Sequence, residues 1–162
     1  MSIIDNLMQT DAREIMMTFF LAMMPILELR GAIPIGVGLG LDHWTSMLVS
    51  ILGNCVPVPF ILLFIRQIFK WLRSHSTRAS VILDRIERRA RGKWQKVHTY
   101  QFFGLMIIVA VPLPGTGAWT GALIAALMNM RFRNAIPAIF AGVVTAGFLV
   151  TGLTYGFTSI FH

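Results

Sequence analysis

The sequence predicts an all-α integral membrane protein: two oppositely oriented re-entrant hairpins and two transmembrane helices as an inverted repeat, with a basic amphipathic cytoplasmic helix between the halves. Three observations lead there. Hydrophobic residues make up 56% of the 162 residues and charged residues 13%, and the mean hydropathy is +0.70, well outside the range of a soluble domain. The apolar residues fall into four blocks, Ile15 to Leu41, Trp44 to Ile65, Phe102 to Met130 and Ala135 to Phe161. Breaker clusters interrupt the first and third blocks, whereas the second and fourth are each near the ~20 residues of a bilayer crossing.

In the first block, Glu28-Leu29-Arg30 sets an acid and a guanidinium inside apolar sequence. Ionisable residues at that depth are costly and usually functional. Gly31, Pro34, Gly36, Gly38 and Gly40 follow within a few residues, spoiling a helix where helix is the cheapest backbone in lipid. Residues 15–41 therefore read as a re-entrant hairpin with its tip at Glu28 to Pro34, and residues 44–65 as the first transmembrane helix.

The +7 net charge is concentrated. Ten of the fourteen basic residues lie between Arg66 and Lys96, opposed there by Asp84 and Glu87, so the positive-inside rule makes residues 66–98 cytoplasmic. Ile82, Leu83, Ile86, Ala90, Trp94 and Val97 recur at helical spacing, which suits a helix on an anionic membrane face. A solvated connector explains the same pattern. No nucleic-acid-binding motif accompanies the charge, so no nucleic-acid partner is expected.

The third block, residues 102–130, divides at Pro112-Leu113-Pro114-Gly115-Thr116-Gly117. A full crossing would carry Arg131 and Arg133 to the side opposite the basic loop, against the positive-inside bias. A second hairpin, entering and leaving from the cytoplasm, keeps them inside and leaves residues 135–161 as the second transmembrane helix. Each half is then a hairpin and a span, in opposite topologies, the plan of many secondary transporters. Residue identity between the halves is slight, with Leu29 and Gly31 matching Leu113 and Gly115.

The segments Glu28-Leu29-Arg30-Gly31-Ala32-Ile33-Pro34-Ile35-Gly36 and Pro112-Leu113-Pro114-Gly115-Thr116-Gly117-Ala118-Trp119-Thr120-Gly121 together resemble the small multidrug export protein family of bacteria and archaea. The resemblance covers roughly Glu14 to Phe157. In architecture that family looks like a minimal relative of the DedA/VTT superfamily, which implies two re-entrant hairpins and an association with lipid translocation. The separate arginine-bearing motif of that superfamily has no counterpart here beyond Arg131 and Arg133.

Chemically, each hairpin's second arm begins inside the membrane with unpaired N–H groups and a positive dipole end. Thr116 is the expected N-cap at the second tip, and Gly115 and Gly117 allow close backbone approach. With Arg30 added, the two tips would form an anion site. Glu28 is then either the partner of Arg30 or a protonatable coupling residue, and both residues could instead satisfy broken-helix backbone. The expected pathway comprises Glu28, Arg30, Gly31, Pro34, Asn54, Pro112, Pro114, Gly115, Thr116, Gly117 and Trp119. Pro34, Pro112 and Pro114 also read simply as turn formers, and Asn54 as a structural hydrogen-bonder near Pro57 and Pro59.

Other classes find less support. The apolar blocks hold no HExxH motif, paired aspartates or Ser/His/Asp set, so no enzyme is expected. Neither Cys55, the single cysteine, nor the ten methionines belong to a metal-binding cluster, and no cofactor or metal is expected. Trp44, Trp71 and Trp94 read as interfacial anchors. The start of the chain lacks a signal-peptide pattern and is expected to be retained. The sequence thus points to a multi-pass cell-membrane transporter of an amphipathic substrate, a drug-like molecule or an anionic lipid, with proton coupling one of the two roles open to Glu28. A lipid-binding scaffold that moves nothing is the alternative. A homodimer is expected, because lone hairpins have little protein to shield them from lipid.

Overall fold

The computed structural model describes residues 12–75, 98–111 and 116–160, with positions 77, 80–82, 84, 85 and 88. Among them seven helices form: α1 (Ala12–Met23), α2 (Glu28–Gly38), α3 (His43–Cys55), α4 (Pro57–His75), α5 (His98–Ala110), α6 (Ala118–Leu127) and α7 (Phe132–Ile160). Pro112, Pro114, Gly115 and most of the expected basic amphipathic helix lie outside the described residues.

Two stretches are long and apolar enough to cross a bilayer. The 33 residues His43–His75 comprise α3 and α4, and the 26 residues Phe132–Phe157 lie within α7. The first is interrupted at Val56, because Pro57 and Pro59 carry no N–H for the carbonyls a turn earlier. The remaining helices have 12, 11, 13 and 10 residues. At 1.5 Å per residue each is ~15 to 20 Å long, little more than half of a ~30 Å hydrocarbon core.

The first break does not fall at Glu28 to Pro34. The chain turns earlier, at residues 24–27, and Glu28–Gly38 is helical with Pro34 inside it. Its small residues serve packing instead. A side chain at Gly36 would collide with Ser46 Oγ and crowd Thr18, so α2 lies close against both α1 and α3.

Large apolar side chains lie on the outside of the bundle as well as in its core. Ala118, Ala122, Ala125, Ala135, Ala138 and Ala146 are fully buried, as are Ser46, Ser50 and Asn54, whereas Phe60, Phe64, Phe148, Leu153 and Phe157 are exposed. Leu29, Ile33, Leu62 and Ile139 are buried with the small residues, and the large apolar groups left outside fit a solvent that is itself hydrocarbon. Helices α1, α2 and α3 pack together, and so do α5, α6 and α7. Across the two groups, α2 lies against α7 and α6 against α4.

Local geometry recurs at a fixed interval. Two residues beyond the end of α2 stands Gly40 (φ +107°), and two beyond the end of α6 stands Asn129 (φ +52°), the two residue types that most readily take left-handed backbone. After α2, Gly40 N–H donates to the Val37 carbonyl and Leu41 N–H to that of Gly36, both at 3.0 Å; after α6, Asn129 donates to Ala126 at 3.1 Å and Met130 to Ala125 at 3.0 Å. The same interval relates the starts of α3 and α7, where the Asp42 carbonyl accepts Ser46 N–H at 2.8 Å and that of Arg131 accepts Ala135 N–H at 3.0 Å. It also relates two contacts between the groups: His43 sits edge-on to Tyr155 at 5.5 Å, and the Arg66 guanidinium lies 5.6 Å over the Phe132 ring.

Candidate functional site

The two breaks meet. At the first, Glu28 N–H donates to the Met24 carbonyl at 2.9 Å, and Glu28 itself has φ +47°. That left-handed conformation costs a residue with a Cβ roughly 1 kcal/mol or more and persists only where surrounding contacts enforce it. Its effect is to start α2 with the Glu28 side chain turned inward, leaving the residue 6% exposed.

The carboxylate reaches the start of α6. Glu28 Oε1 accepts the backbone N–H of Trp119 at 3.3 Å, in the first turn of a helix whose N-cap, Gly117, supplies no side-chain bond. An anion at a helix N-terminus meets both the unpaired N–H groups and the positive dipole end. Gly117 is required for this approach, because a methyl group there would overlap Glu28 Oε2. In return the Trp119 indole N–H donates to the carbonyl of Met23, the last residue of α1, at 3.1 Å. Each break thereby caps a helix of the other.

Arg30 serves the opposite pole. Its Nη2 donates to the Val111 carbonyl at 2.9 Å, just beyond α5, and to Thr116 Oγ1 at 3.0 Å. The Thr116 hydroxyl donates to the same Val111 carbonyl at 2.8 Å. A guanidinium at a helix C-terminus meets the negative dipole end. Glu28 and Arg30 make no ion pair with each other among the described residues; each faces the pole that complements its charge. Arg30 Nε is buried without a hydrogen-bond partner among the described residues.

Of the expected pathway residues, the structure thus gathers Glu28, Arg30, Thr116, Gly117 and Trp119 at one junction. Gly31 packs on Leu27. Pro34 lines a separate surface cleft with Leu153 and Phe157. Asn54 is fully buried on α3. Thr116 is not the N-cap of α6: that position is Gly117, and the anionic group comes from Glu28, far away in sequence. The carbonyls of Met23 and Val111 were not legible as site groups, since any residue has one. Ser46 and Ser50 were also missed, although their spacing with Asn54 puts all three on one helical face. No group of three or more metal-ligating side chains occurs among the described residues.

A protein-family model described as "Putative small multi-drug export protein" matches residues 28–149. The chain belongs to this family. The match begins at Glu28, directly after the first break, and takes in the second break and most of α7, so every residue of the junction except Met23 and Met24 lies within it. The family is one of export proteins rather than enzymes, and its description agrees with the two membrane-length helices. Neither the curated proteins nor the solved structures contain a match to the chain.

Proposed function

We propose that the protein is a small membrane transporter in which the two breaks are the tips of oppositely oriented re-entrant hairpins and together form a gate. The bond between the Glu28 carboxylate and the start of α6 carries the proposal. Four kinds of support stand behind the architecture. The paired helices at each break are too short to cross a bilayer. The helix-end bonds and both contacts between the groups recur at one interval, as in an internal repeat. Helix α2 packs on the long helix of the other group, and α6 does likewise. Finally, the position that is Asp42 at the start of α3 is Arg131 at the start of α7. A cation there opposes the helix dipole, but a basic residue on the cytoplasmic side satisfies the positive-inside rule.

In the closed state Glu28 neutralises the N-terminus of α6 and Arg30 the C-terminus of α5. Protonation of Glu28 removes the anion from the α6 pole and leaves N–H groups and a positive dipole end for another anion. The substrate class that fits is an amphipathic molecule with an anionic headgroup, its apolar part in the bilayer and its charge on the α6 N-terminus beside Arg30. Proton and anion then move together. Arg30 is the charged group beside Glu28; the other residues that meet the junction, Met23, Val111, Thr116, Gly117 and Trp119, do not titrate. The homodimer expected from the sequence would cover the outer face of α1, where Met16, Met17 and Phe20 are exposed.

The test is transport by purified protein in liposomes, comparing a fluorescent phosphatidylglycerol with a cationic dye. Faster movement of the anionic lipid, lost in a folded Arg30→Ala variant, is the expected result. Movement of the dye alone, or no movement of either, defeats the proposal.

A further inference from the structure

Helix α3 carries a polar stripe that neither the gate nor the packing accounts for. Ser46, Ser50 and Asn54 lie on one face, one turn apart, and all are 0% exposed. Ser46 Oγ donates to the Ile33 carbonyl at 2.9 Å. By contrast Ser50 Oγ and both Oδ1 and Nδ2 of Asn54 are buried with no hydrogen-bond partner among the described residues. Buried polar groups are nearly always paired, so three unpaired atoms on one face point to a ligand.

Packing does not require these side chains. At the interval that relates the two halves, their counterparts on α7 are Ala135, Ile139 and Val143, equally buried. The same face is therefore filled by apolar groups in one half and by hydroxyls and an amide in the other. The helix also breaks just beyond Asn54, where Pro57 and Pro59 leave the Gly53 and Cys55 carbonyls without their helical donors. Water commonly enters a helix at such interruptions.

The donor and acceptor inventory selects the occupant. A bare metal ion would suit Ser50 Oγ and Asn54 Oδ1 but leave the Asn54 N–H groups unsatisfied. Water both donates and accepts, and so satisfies all of them. We infer that Ser50 and Asn54 form an internal water site in the bundle, with the interruption at Val56 supplying further acceptors. Its place in the bundle follows from its neighbours. Gly53, the neighbour of Asn54, lies against Ala22 and the Phe19 carbonyl, and Trp119 bonds the carbonyl of Met23, the residue after Ala22, so the end of α1 lies between the stripe and the junction. This inference stands without the gate and without proton coupling.

Radiolytic hydroxyl-radical labelling of the full chain in lipid nanodiscs, read by mass spectrometry, tests it. Radicals form from bound water, and Met47, buried at 3% exposure one turn from Ser50, is the reporter. Met47 should oxidise in the wild type despite its burial, and a Ser50→Ala/Asn54→Leu variant should lower its oxidation at least fivefold while exposed Met17 is unchanged. Asn54→Ser, which keeps a hydroxyl, should retain most of the labelling and covers the case in which the double variant fails to fold. An unlabelled Met47 in the wild type, labelling that a folded Ser50→Ala/Asn54→Leu variant leaves unaltered, or loss of the labelling in Asn54→Ser overturns the site. Neither outcome touches transport in liposomes, so the two readings fail separately.

Discussion

The Glu28 carboxylate accepts the backbone N–H of Trp119 at 3.3 Å, although the two residues are 91 apart in the chain. That bond is one of four that join the two breaks among the described residues, and a helix N-terminus that lacks a side-chain cap of its own receives one from the first break. The consequences are open to measurement.

Gly117 has no room for a side chain. Gly117→Ala should displace Glu28 and destabilise the fold by about 1 to 3 kcal/mol, the usual cost of overpacking. Gly152, where an added methyl meets nothing within 4 Å, is the control. Gly152→Ala should be neutral or slightly stabilising, as expected for glycine in a helix. Thermal unfolding in detergent compares the two, and equal effects would remove the steric argument.

Glu28 should invert the ordinary ranking of alanine and glycine. Both substitutions lose the cap, but at φ +47° only glycine escapes backbone strain. Glu28→Gly should therefore be more stable than Glu28→Ala by about 1 kcal/mol, although glycine is the poorer helix former. An Ala variant as stable as the Gly variant would show that the left-handed conformation is not held in solution.

Arg30 and Thr116 should be energetically coupled, since one bonds the other and both bond the Val111 carbonyl. A double-mutant cycle with Arg30→Ala and Thr116→Val should give a coupling energy above about 0.5 kcal/mol. Arg30→Lys should also be impaired, because an ammonium does not reproduce the planar donor fork. Additive single effects would mean that the two residues act apart.

The inverted arrangement predicts opposite sides for two equivalent positions. On a Cys55→Ala background, a cysteine at Asp42 should react with an impermeant reagent from outside the cell. One at Arg131 should react only from the cytoplasm. Labelling of both from the same side would end the hairpin model.

How far the sequence alone reaches can be judged at particular residues. The breaks were visible, because Glu28, Arg30 and the Pro/Gly clusters have no place in an uninterrupted span. Their exact position was not. Gly36 and Pro34 look like breakers, yet the helix absorbs them, and Gly36 is small because Thr18 and Ser46 press on it. The cap of α6 was misassigned to Thr116 because capping was sought locally, while the acid that does the work lies 91 residues away. Leu29 and Gly31 match Leu113 and Gly115 at one interval, whereas the hydrogen bonds around Gly40 and Asn129 recur at another, and backbone geometry tolerates the exchange of glycine for asparagine that identity does not. Partnerless Ser50 and Asn54 are invisible in sequence, since the spacing is apparent but the missing partners are not.

The central claim is that protonation of Glu28 releases the start of α6 and opens the gate, and the pH dependence of flux in liposomes tests it most directly. Wild-type transport of fluorescent phosphatidylglycerol should rise as the pH falls and Glu28 gains its proton. Glu28→Gln keeps the shape and a neutral acceptor but mimics the protonated form, so its flux should be flat with pH and near the acidic wild-type level. A Glu28→Gln variant that folds, transports and keeps the wild-type pH profile would contradict the account.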